Sequence, residues 1–167
     1  AIRQEQTVNG VACNEIQADG SMVIPEIRMR PGEVQHWRLS HAGIFNNWPL
    51  RIEGHEMHIV AYDGMTLEEV ETTDEFVFVS GQRRDILVKA SMTPGTYAVK
   101  RGSYKQATEV NSWQEQVLFN LVVEGAPMGM ALPTRLNPPS KRLPYIKDSE
   151  IVAKREISFK FVDNTEE

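Results

Sequence analysis

The stretch that decides the fold is PEIRMRPGEVQHWRLSHAGIFNNWPLRIEGHEMHIVAYDG, residues 25–64. Residues 27–30 alternate apolar and charged side chains, which is the period of a half-buried β-strand. A Pro-Gly-Glu turn follows at residues 31–33, because proline presets φ and glycine accepts positive φ. Residues 34–41 and 50–62 are rich in β-branched and aromatic side chains. The stretch therefore predicts three β-strands joined by tight turns.

Further short strands flank this stretch. Asp63-Gly64 is a hairpin turn pair. Residues 1–10 are expected to include a short first strand that ends at Asn9-Gly10, and residues 11–21 have the composition of a loop. The other predicted strands are the β-rich runs at residues 65–70, 76–79, 85–90, 96–100 and 116–124. Roughly eight or nine short strands with turn signals between them predict an all-β fold, an antiparallel β-sandwich with Greek-key connections.

The composition changes at Pro127. Five of the nine prolines of the chain lie from this residue onward, and proline cannot donate to a sheet and favours extended polyproline conformation. Residues 154–161 again alternate polar and apolar side chains and predict one strand, which is not a stable unit alone. The expected organisation is a sandwich over residues 1–126, a proline-rich linker over residues 127–150, and the first strand of a truncated further domain over residues 151–167.

Composition and charge exclude several classes of function. The chain has 167 residues, 41% of them hydrophobic, which is enough for one domain with a sizeable core. Its net charge of −5 provides no basic field for nucleic acid or an anionic membrane surface. No apolar run approaches the length of about 20 residues that a transmembrane helix needs. Cys13 is the single cysteine, so an intramolecular disulfide is impossible.

The motifs of residues 25–64 resemble the opening of the second, middle domain of three-domain multicopper oxidases, the laccase-like enzymes. The pattern PxIxMRPGExQxWRL…LxIEGHxMxxxAYDG carries the resemblance. Three further motifs follow in the family's order, namely VNG at residues 8–10, SGQRRDILVK at residues 80–89 and PGTY at residues 94–97. Two features depart from the pattern: residues 13–21 look inserted, and Ser80 stands where the family usually has proline.

The resemblance covers most of residues 7–126 and implies a cupredoxin-like fold. It also implies that the intact parent enzyme binds copper in its first and third domains, oxidises a reducing substrate and reduces dioxygen to water. The middle domain of that family lacks copper ligands, so this segment alone is expected to be inactive and to hold no cofactor. Phenols, metal ions such as Cu(I) or Fe(II), and nitrite reductase-like variants all occur among relatives, which leaves the substrate open. The expected partners are the first and third cupredoxin domains of the same parent chain, in the periplasm or outside the cell.

The ligands for copper can also be sought among the residues themselves. A blue copper site needs two histidines and a cysteine thiolate, usually with a weak axial ligand. The chain has four histidines, and neither a histidine nor a cysteine follows His58. Cys13 lies far in sequence from every histidine, and no His-x-His pair of the kind that builds a trinuclear cluster is present. The sequence therefore predicts no metal ligand, no catalytic residue and no cofactor-binding residue in this segment.

His55 and His58 form an H-x-x-H pair, which is the strongest competing metal motif. On a helix the two side chains would share a face and could bind zinc. In a strand, residues three apart point to opposite faces, although Gly54 is a candidate bulge position that would alter this locally. A structural role is therefore favoured for both, and likewise for His36 and His41, which lie in a strand and at its end.

Two other groups of residues invite a functional interpretation. Arg83-Arg84-Asp85 could be interpreted as a catalytic charge cluster. The favoured interpretation is that Arg83 or Arg84 pairs with an acidic group at a strand entrance. The methionines are dispersed in sequence and are expected to fill gaps in the core rather than to form a copper-binding loop. The methionines in question are Met29, Met57, Met65, Met92, Met128 and Met130.

Three functions were compared. The favoured one is a copper-ligand-free middle domain that spaces the first and third domains and lines part of the substrate cleft. The alternative is a stand-alone β-sandwich binding module for carbohydrate or protein, which would need Trp37, Trp48 and Trp113 to form an exposed platform. A mononuclear cupredoxin electron carrier is excluded by the missing Cys/His loop. Self-association is also expected, through pairing of the strand at residues 154–161 with an open sheet edge.

Overall fold

The computed structural model describes residues 7–13, 15–16, 18–20, 22–43, 47–105, 114–137 and 146–159. The first five strands are β1 (Thr7–Val8), β2 (Val11–Ala12), β3 (Glu15–Ile16), β4 (Met22–Val23) and β5 (Glu26–Met29). The next four are β6 (Val34–Ser40), β7 (Trp48–Ile52), β8 (Met57–Tyr62) and β9 (Met65–Thr73). The last four are β10 (Glu75–Phe78), β11 (Arg83–Lys89), β12 (Gly95–Arg101) and β13 (Gln116–Val123). The helical content of these described ranges is one short 3₁₀ turn, Asp148–Glu150.

Two sheets form the sandwich. One has five strands in the order β10-β7-β12-β13-β5, and the other has four in the order β6-β11-β8-β9. The chain passes repeatedly from one sheet to the other, as it does from β5 to β6 and from β6 to β7, which is how a Greek-key sandwich is connected. The described neighbours are antiparallel except for β13 and β5, which run parallel. The predicted all-β, cupredoxin-like sandwich is confirmed.

The core lies between the inner faces of the two sheets. Ile86 and Val88 on β11 are fully buried, as are Met57 on β8 and Leu121 on β13. Burial of each such side chain stabilises the fold by about 1.5–3 kcal/mol relative to exposure. Because side chains alternate along a strand, the two-residue period in the sequence decides which residues enter this core.

The hairpin turn expected at Asp63-Gly64 is present, and a second hairpin turn that the sequence analysis did not predict lies at Asn9-Gly10. Asn9 and Gly10 join β1 to β2 with φ values of 51° and 78°, and Asp63 and Gly64 join β8 to β9 with φ values of 48° and 88°. Positive φ at both central residues is the type I′ turn, whose twist matches that of the flanking strands. Asparagine, aspartate and glycine accept these angles most readily.

The single strand predicted over residues 50–62 is wrong. The chain turns at Glu53-Gly54, where Gly54 has a φ of 65° and the His55 N–H donates to the Ile52 carbonyl at 3.1 Å. β7 therefore belongs to the five-stranded sheet and β8 to the four-stranded sheet. Apolar residues continue on both sides of this turn, and the exposed Glu53-Gly54 pair is the local sign of the change of sheet.

Two smaller differences concern segments of low strand propensity. The predicted loop at residues 11–21 contains β2 and β3, and β3 pairs with β4 through the turn at residues 18–20. β9 extends to Thr73 rather than ending near residue 70, although glutamate is uncommon in strands. Since β9 is an edge strand, its glutamates keep their side chains in solvent while the backbone pairs with β8.

The first part of the predicted linker runs against the sandwich. The Met128 N–H donates to the Pro31 carbonyl at 2.7 Å, and the Leu136 N–H donates to the Glu68 carbonyl at 3.2 Å. These are isolated hydrogen bonds rather than a ladder, as expected for a proline-rich segment.

Residues 151–159 pair with no strand of the described chain. Ile157 and Phe159 in this segment are 74% and 82% exposed. The domain boundaries, the linker over residues 127–150 and the further strand over residues 154–161 stay predictions, and residues 160–161 of that strand lie outside the described residues.

Candidate functional site

His55, the first residue of the H-x-x-H pair, uses both ring nitrogens within the fold. Its Nε2 accepts the Ser91 N–H at 2.9 Å, so its Nδ1 carries the proton and donates to the Glu53 carbonyl at 2.8 Å. The Tyr97 ring packs edge-on against the imidazole, with ring centroids 4.6 Å apart. His55 therefore links the turn at Glu53-Gly54 to Ser91 and to β12, and offers no lone pair to a metal.

His58, the second residue of the pair, lies on β8 and is buried. Its Nδ1 lies 2.9 Å from the Thr72 hydroxyl on β9. Burial lowers the pKa of His58, with a smaller opposing effect from Glu56. His55 precedes β8 and contacts Ser91, whereas His58 contacts the neighbouring strand, so the structure gives the two histidines separate environments.

His36 and Asp85 contact each other on the surface of the four-stranded sheet. The His36 Nε2 lies 3.3 Å from a carboxylate oxygen of Asp85, and the Arg38 Nε lies 3.6 Å from the same oxygen. The side chains of His36 and Arg38 are 48% and 78% exposed. Solvent screens such a group, so it contributes little to stability.

His41 belongs to an aromatic cluster at one end of the sandwich. Its ring lies 4.8 Å from the Trp48 ring and 5.3 Å from the Phe78 ring, measured between centroids. The Gly43 N–H donates to the His41 Nδ1 at 3.1 Å. Trp48 thus packs with His41 and Phe78 at one end of the core.

The residues present do not fit a blue copper site. In the described part of the chain, no three histidine, cysteine, aspartate or glutamate side chains converge in a way that could hold a metal ion. Cys13 is buried, and burial raises the pKa of its thiol, which disfavours the thiolate that binds copper.

Arg83, Arg84 and Asp85 point into three different environments and form no charge cluster. The Arg83 backbone N–H donates to the Asp63 carboxylate at 2.8 Å, and its guanidinium donates to the Asp63 carbonyl at 2.9 Å. This is the contact with an acidic residue that the sequence led us to expect. Asp85 faces the outer surface of the sheet beside His36.

Arg84 instead points into the sandwich, a role that the sequence analysis missed. Its guanidinium lies 4.2 Å from the centre of the Phe76 ring and 4.9 Å from that of Tyr62. It also donates to the Val77 carbonyl at 3.2 Å, so it ties β11 to β10 of the opposite sheet. Burial lowers the pKa of Arg84. The signal was available in the two-residue period, because Arg84 shares its face with Ile86.

Arg101 is the second buried arginine that was missed, with only 4% of its surface exposed. It ends β12 and donates to the Gln116 side chain at 3.0 Å on the paired strand. Burial lowers its pKa as well. A basic residue at a strand end usually predicts a solvated position, so no sequence feature marked this one.

The methionines divide between two roles. Met29 and Met57 are buried and fill the core as expected. Met65 and Met92 are more than half exposed, so gap-filling is wrong for them. The Met130 Sδ accepts the Val34 N–H at 3.3 Å.

An exposed aromatic platform is not formed by the described tryptophans. Trp37 is 8% exposed, as its alternation with polar neighbours predicted, and Trp48 is partly buried against the core. Trp113 lies outside the described residues. The alternative function as a binding module is therefore not favoured. The described residues also include no helix that is long and apolar enough to cross a bilayer.

Comparison with known proteins shows where this sandwich occurs. The sequence model of the multicopper oxidase family matches residues 2–126. Laccase-6 of Arabidopsis thaliana is 32% identical over 124 residues, which cover 74% of this chain and 21% of that protein. Oxidoreductase OpS5 of Beauveria bassiana is 26% identical over 113 residues, which cover 68% of this chain and 18% of that protein. The chain thus spans only about a fifth of the length of the curated relatives it matches.

Solved structures show the same fold. A multicopper oxidase of Campylobacter jejuni, described as a metallo-oxidase, matches with a TM-score of 0.59 at 20% identity, over 74% of this chain and 26% of that one. A multicopper oxidase of the hyperthermophile Aquifex aeolicus matches with a TM-score of 0.57 at 18% identity, over 68% of this chain and 26% of that one.

The two packed sheets, their strand order and these structural matches define a cupredoxin-like β-sandwich domain. With the family match over residues 2–126 and the laccase relative, the chain belongs to the multicopper oxidase family, whose intact enzymes bind copper.

Proposed function

We propose that this chain is the copper-ligand-free middle domain of a laccase-like multicopper oxidase. Its role is to hold the first and third cupredoxin domains of the parent chain at the spacing their shared copper cluster needs, and to line part of the substrate cleft. The intact enzyme oxidises a reducing substrate and reduces dioxygen to water. This segment alone is inactive. The parent works in the periplasm or outside the cell.

The geometry of the histidines is the observation that carries this proposal. The family match covers residues 2–126, so the segment corresponds to one cupredoxin-like domain. In a copper-binding domain of this kind, two histidines and a thiolate must converge. Here both ring nitrogens of His55 are engaged by backbone groups, His58 faces Thr72, and Cys13 has a raised thiol pKa. These residues do not supply a blue copper site, and no step of the reaction is assigned to them.

Oxygen consumption tests the proposal directly. The isolated chain is loaded with copper and supplied with a phenol or with Fe(II), and the rate of oxygen uptake is measured against a copper-only control. We expect no uptake above the control from this chain, and uptake from the complete parent protein under the same conditions. Copper-dependent turnover by the isolated chain would contradict the proposal.

A further inference from the structure

Residues 128–136, here called the strap, are held at both ends against the four-stranded sheet. Near the first end, the Met130 Sδ accepts the N–H of Val34, which begins the edge strand β6. At the far end, the Leu136 N–H donates to the carbonyl of Glu68 on β9, the opposite edge strand. The strap therefore begins at one edge of the sheet and ends at the other.

The length of the strap determines its path. Strands are spaced about 4.8 Å apart, so the two edges of a four-stranded sheet are separated by about 14 Å. The five Cα-to-Cα steps from Met130 to Arg135 reach about 17 Å when fully extended, and Arg135 already forms a bridge with Glu69 on β9. A detour around the sandwich is too long. Because the inner face is filled by the core, the strap must cross the outer face.

His58 is a buried titratable group on that outer face. Its neighbours Met57 and Ile59 point into the core, so the His58 side chain points outward. His58 pairs with Leu87, which in turn pairs with His36, so the two histidines lie in one lateral row of the sheet. His36 is exposed, whereas His58 is buried with 8% of its surface accessible. His36 lies on an edge strand and His58 on an inner strand, so neighbouring side chains contribute to the difference, and a segment that lies over β8 would account for the remainder.

We propose that residues 128–136 form a strap that crosses the outer face of the four-stranded sheet, covers His58, and fixes the point at which the chain leaves the sandwich. Leu132, near the middle of the strap, is half-buried and is the side chain placed to lie over the sheet. Up to Leu136, the chain is thus part of the domain rather than a free linker. This inference concerns the chain alone and does not depend on the proposed function.

The strap should loosen in acid. Burial lowers the pKa of His58, Glu56 opposes that effect and Lys89 adds to it. The charged and titratable groups that the sheet carries around it are Glu56 before β8, Lys89 and Asp85 on β11 and His36 on β6. β9 pairs the uncharged Thr72 with His58 and carries Glu68, Glu69 and Glu71 further from it. A protonated imidazole beneath the strap would be buried and repelled by Lys89, so protonation favours release of the strap.

Gly32→Ala loosens the first end of the strap selectively. A Cβ at Gly32, where φ is +73°, would overlap the Met128 carbonyl oxygen and lie 2.8 Å from the Met92 Sδ. Gly81→Ala is the matched control, because φ there is +82° but nothing lies within 4 Å of the added Cβ. Both substitutions carry a similar backbone strain, and only Gly32→Ala displaces the strap.

Hydrogen exchange and histidine titration, both measured on the full chain, then report whether the strap is in place. We expect Gly32→Ala to speed exchange of the Leu136 amide by about tenfold or more relative to Gly81→Ala, and to move the His58 titration toward its ordinary value. Equal exchange rates and equal His58 titrations in the two variants would overturn the proposal.

A second variant covers the case in which Gly32→Ala does not fold. Leu136→Pro removes the N–H that Glu68 accepts and so frees the far end of the strap, with Asn137→Pro as its neighbour control. We expect His58 to titrate nearer its ordinary value in Leu136→Pro only. A His58 titration unchanged from the parent chain in Leu136→Pro would refute the strap as the cover of His58.

Discussion

His55 connects parts of the chain that are distant in sequence. It receives a hydrogen bond from Ser91, donates one to Glu53 and packs against Tyr97. We expect His55→Ala to lower the free energy of unfolding by about 1–3 kcal/mol, because two partly buried hydrogen bonds are lost and the buried imidazole is removed. Urea unfolding measures the change.

His36→Ala is the control for this substitution, since it removes an imidazole from an exposed group. Its effect should stay within about 0.5 kcal/mol. If His55→Ala lowered the free energy of unfolding as little as His36→Ala does, the His55 hydrogen bonds would not stabilise the fold.

His58 should make the stability of the chain depend on pH. Its pKa is lower in the folded state than the ordinary value of 6.5, so the unfolded chain takes up this proton first as the pH falls. Stability therefore decreases as the pH drops below 6.5, until the folded-state pKa is reached. Unfolding titrations across this range should show the slope in the parent chain and in His36→Gln, and a reduced slope in His58→Gln. The same slope in all three would contradict the assignment.

At the residue scale, the sequence predicts which residues are buried more reliably than it predicts which residues they contact. Ile86 and Val88 lie in the strand predicted over residues 85–90, and both are buried in the core. Arg84 lies two residues before Ile86 and shares its face, but the role expected for an arginine of this segment was pairing with an acidic group. The Ser91 partner of His55 was invisible, because it depends on a turn that brings together positions far apart in sequence.

At the scale of the elements, strands with a clear two-residue period or a flanking turn pair were found close to their observed bounds. β6 and β13 are examples, and the hairpin turn at Asp63-Gly64 is another. The division of residues 50–62 between two sheets was missed because apolar residues continue on both sides of the Glu53-Gly54 turn, so the run has the composition of one strand. The parallel pairing of β13 with β5 was also beyond the sequence, since pairing direction follows from the path of the chain.

The segment at residues 151–159 allows a test of the domain organisation. It pairs with no described strand, and Phe159 is 82% exposed. If this segment begins a further domain, its amides in the monomer should exchange nearly as fast as those of an unfolded peptide. The amides of β13 provide the protected reference within the same sample. Strong protection in the monomer would mean that the segment belongs to the sandwich and does not begin a further domain.

At the scale of the whole molecule, the order of several weak motifs was more informative than any one of them. Turn-rich patterns such as PGTY occur in many β-sandwiches, but the sequence from VNG to PGTY in one order indicated a single family, which the match over residues 2–126 bears out. The chain spans only about a fifth of its curated relatives. The chemistry of copper and dioxygen therefore belongs, in our proposal, to domains that flank this one.

Copper bound per chain tests the central claim most directly. The chain is loaded with copper, dialysed, and analysed for metal content, with a visible absorption spectrum recorded on the same sample. A domain without copper ligands should retain close to zero copper and show no blue band. Close to one tightly held copper per chain would contradict the account, with His55 and His58 the first residues to substitute, and a blue band would implicate Cys13.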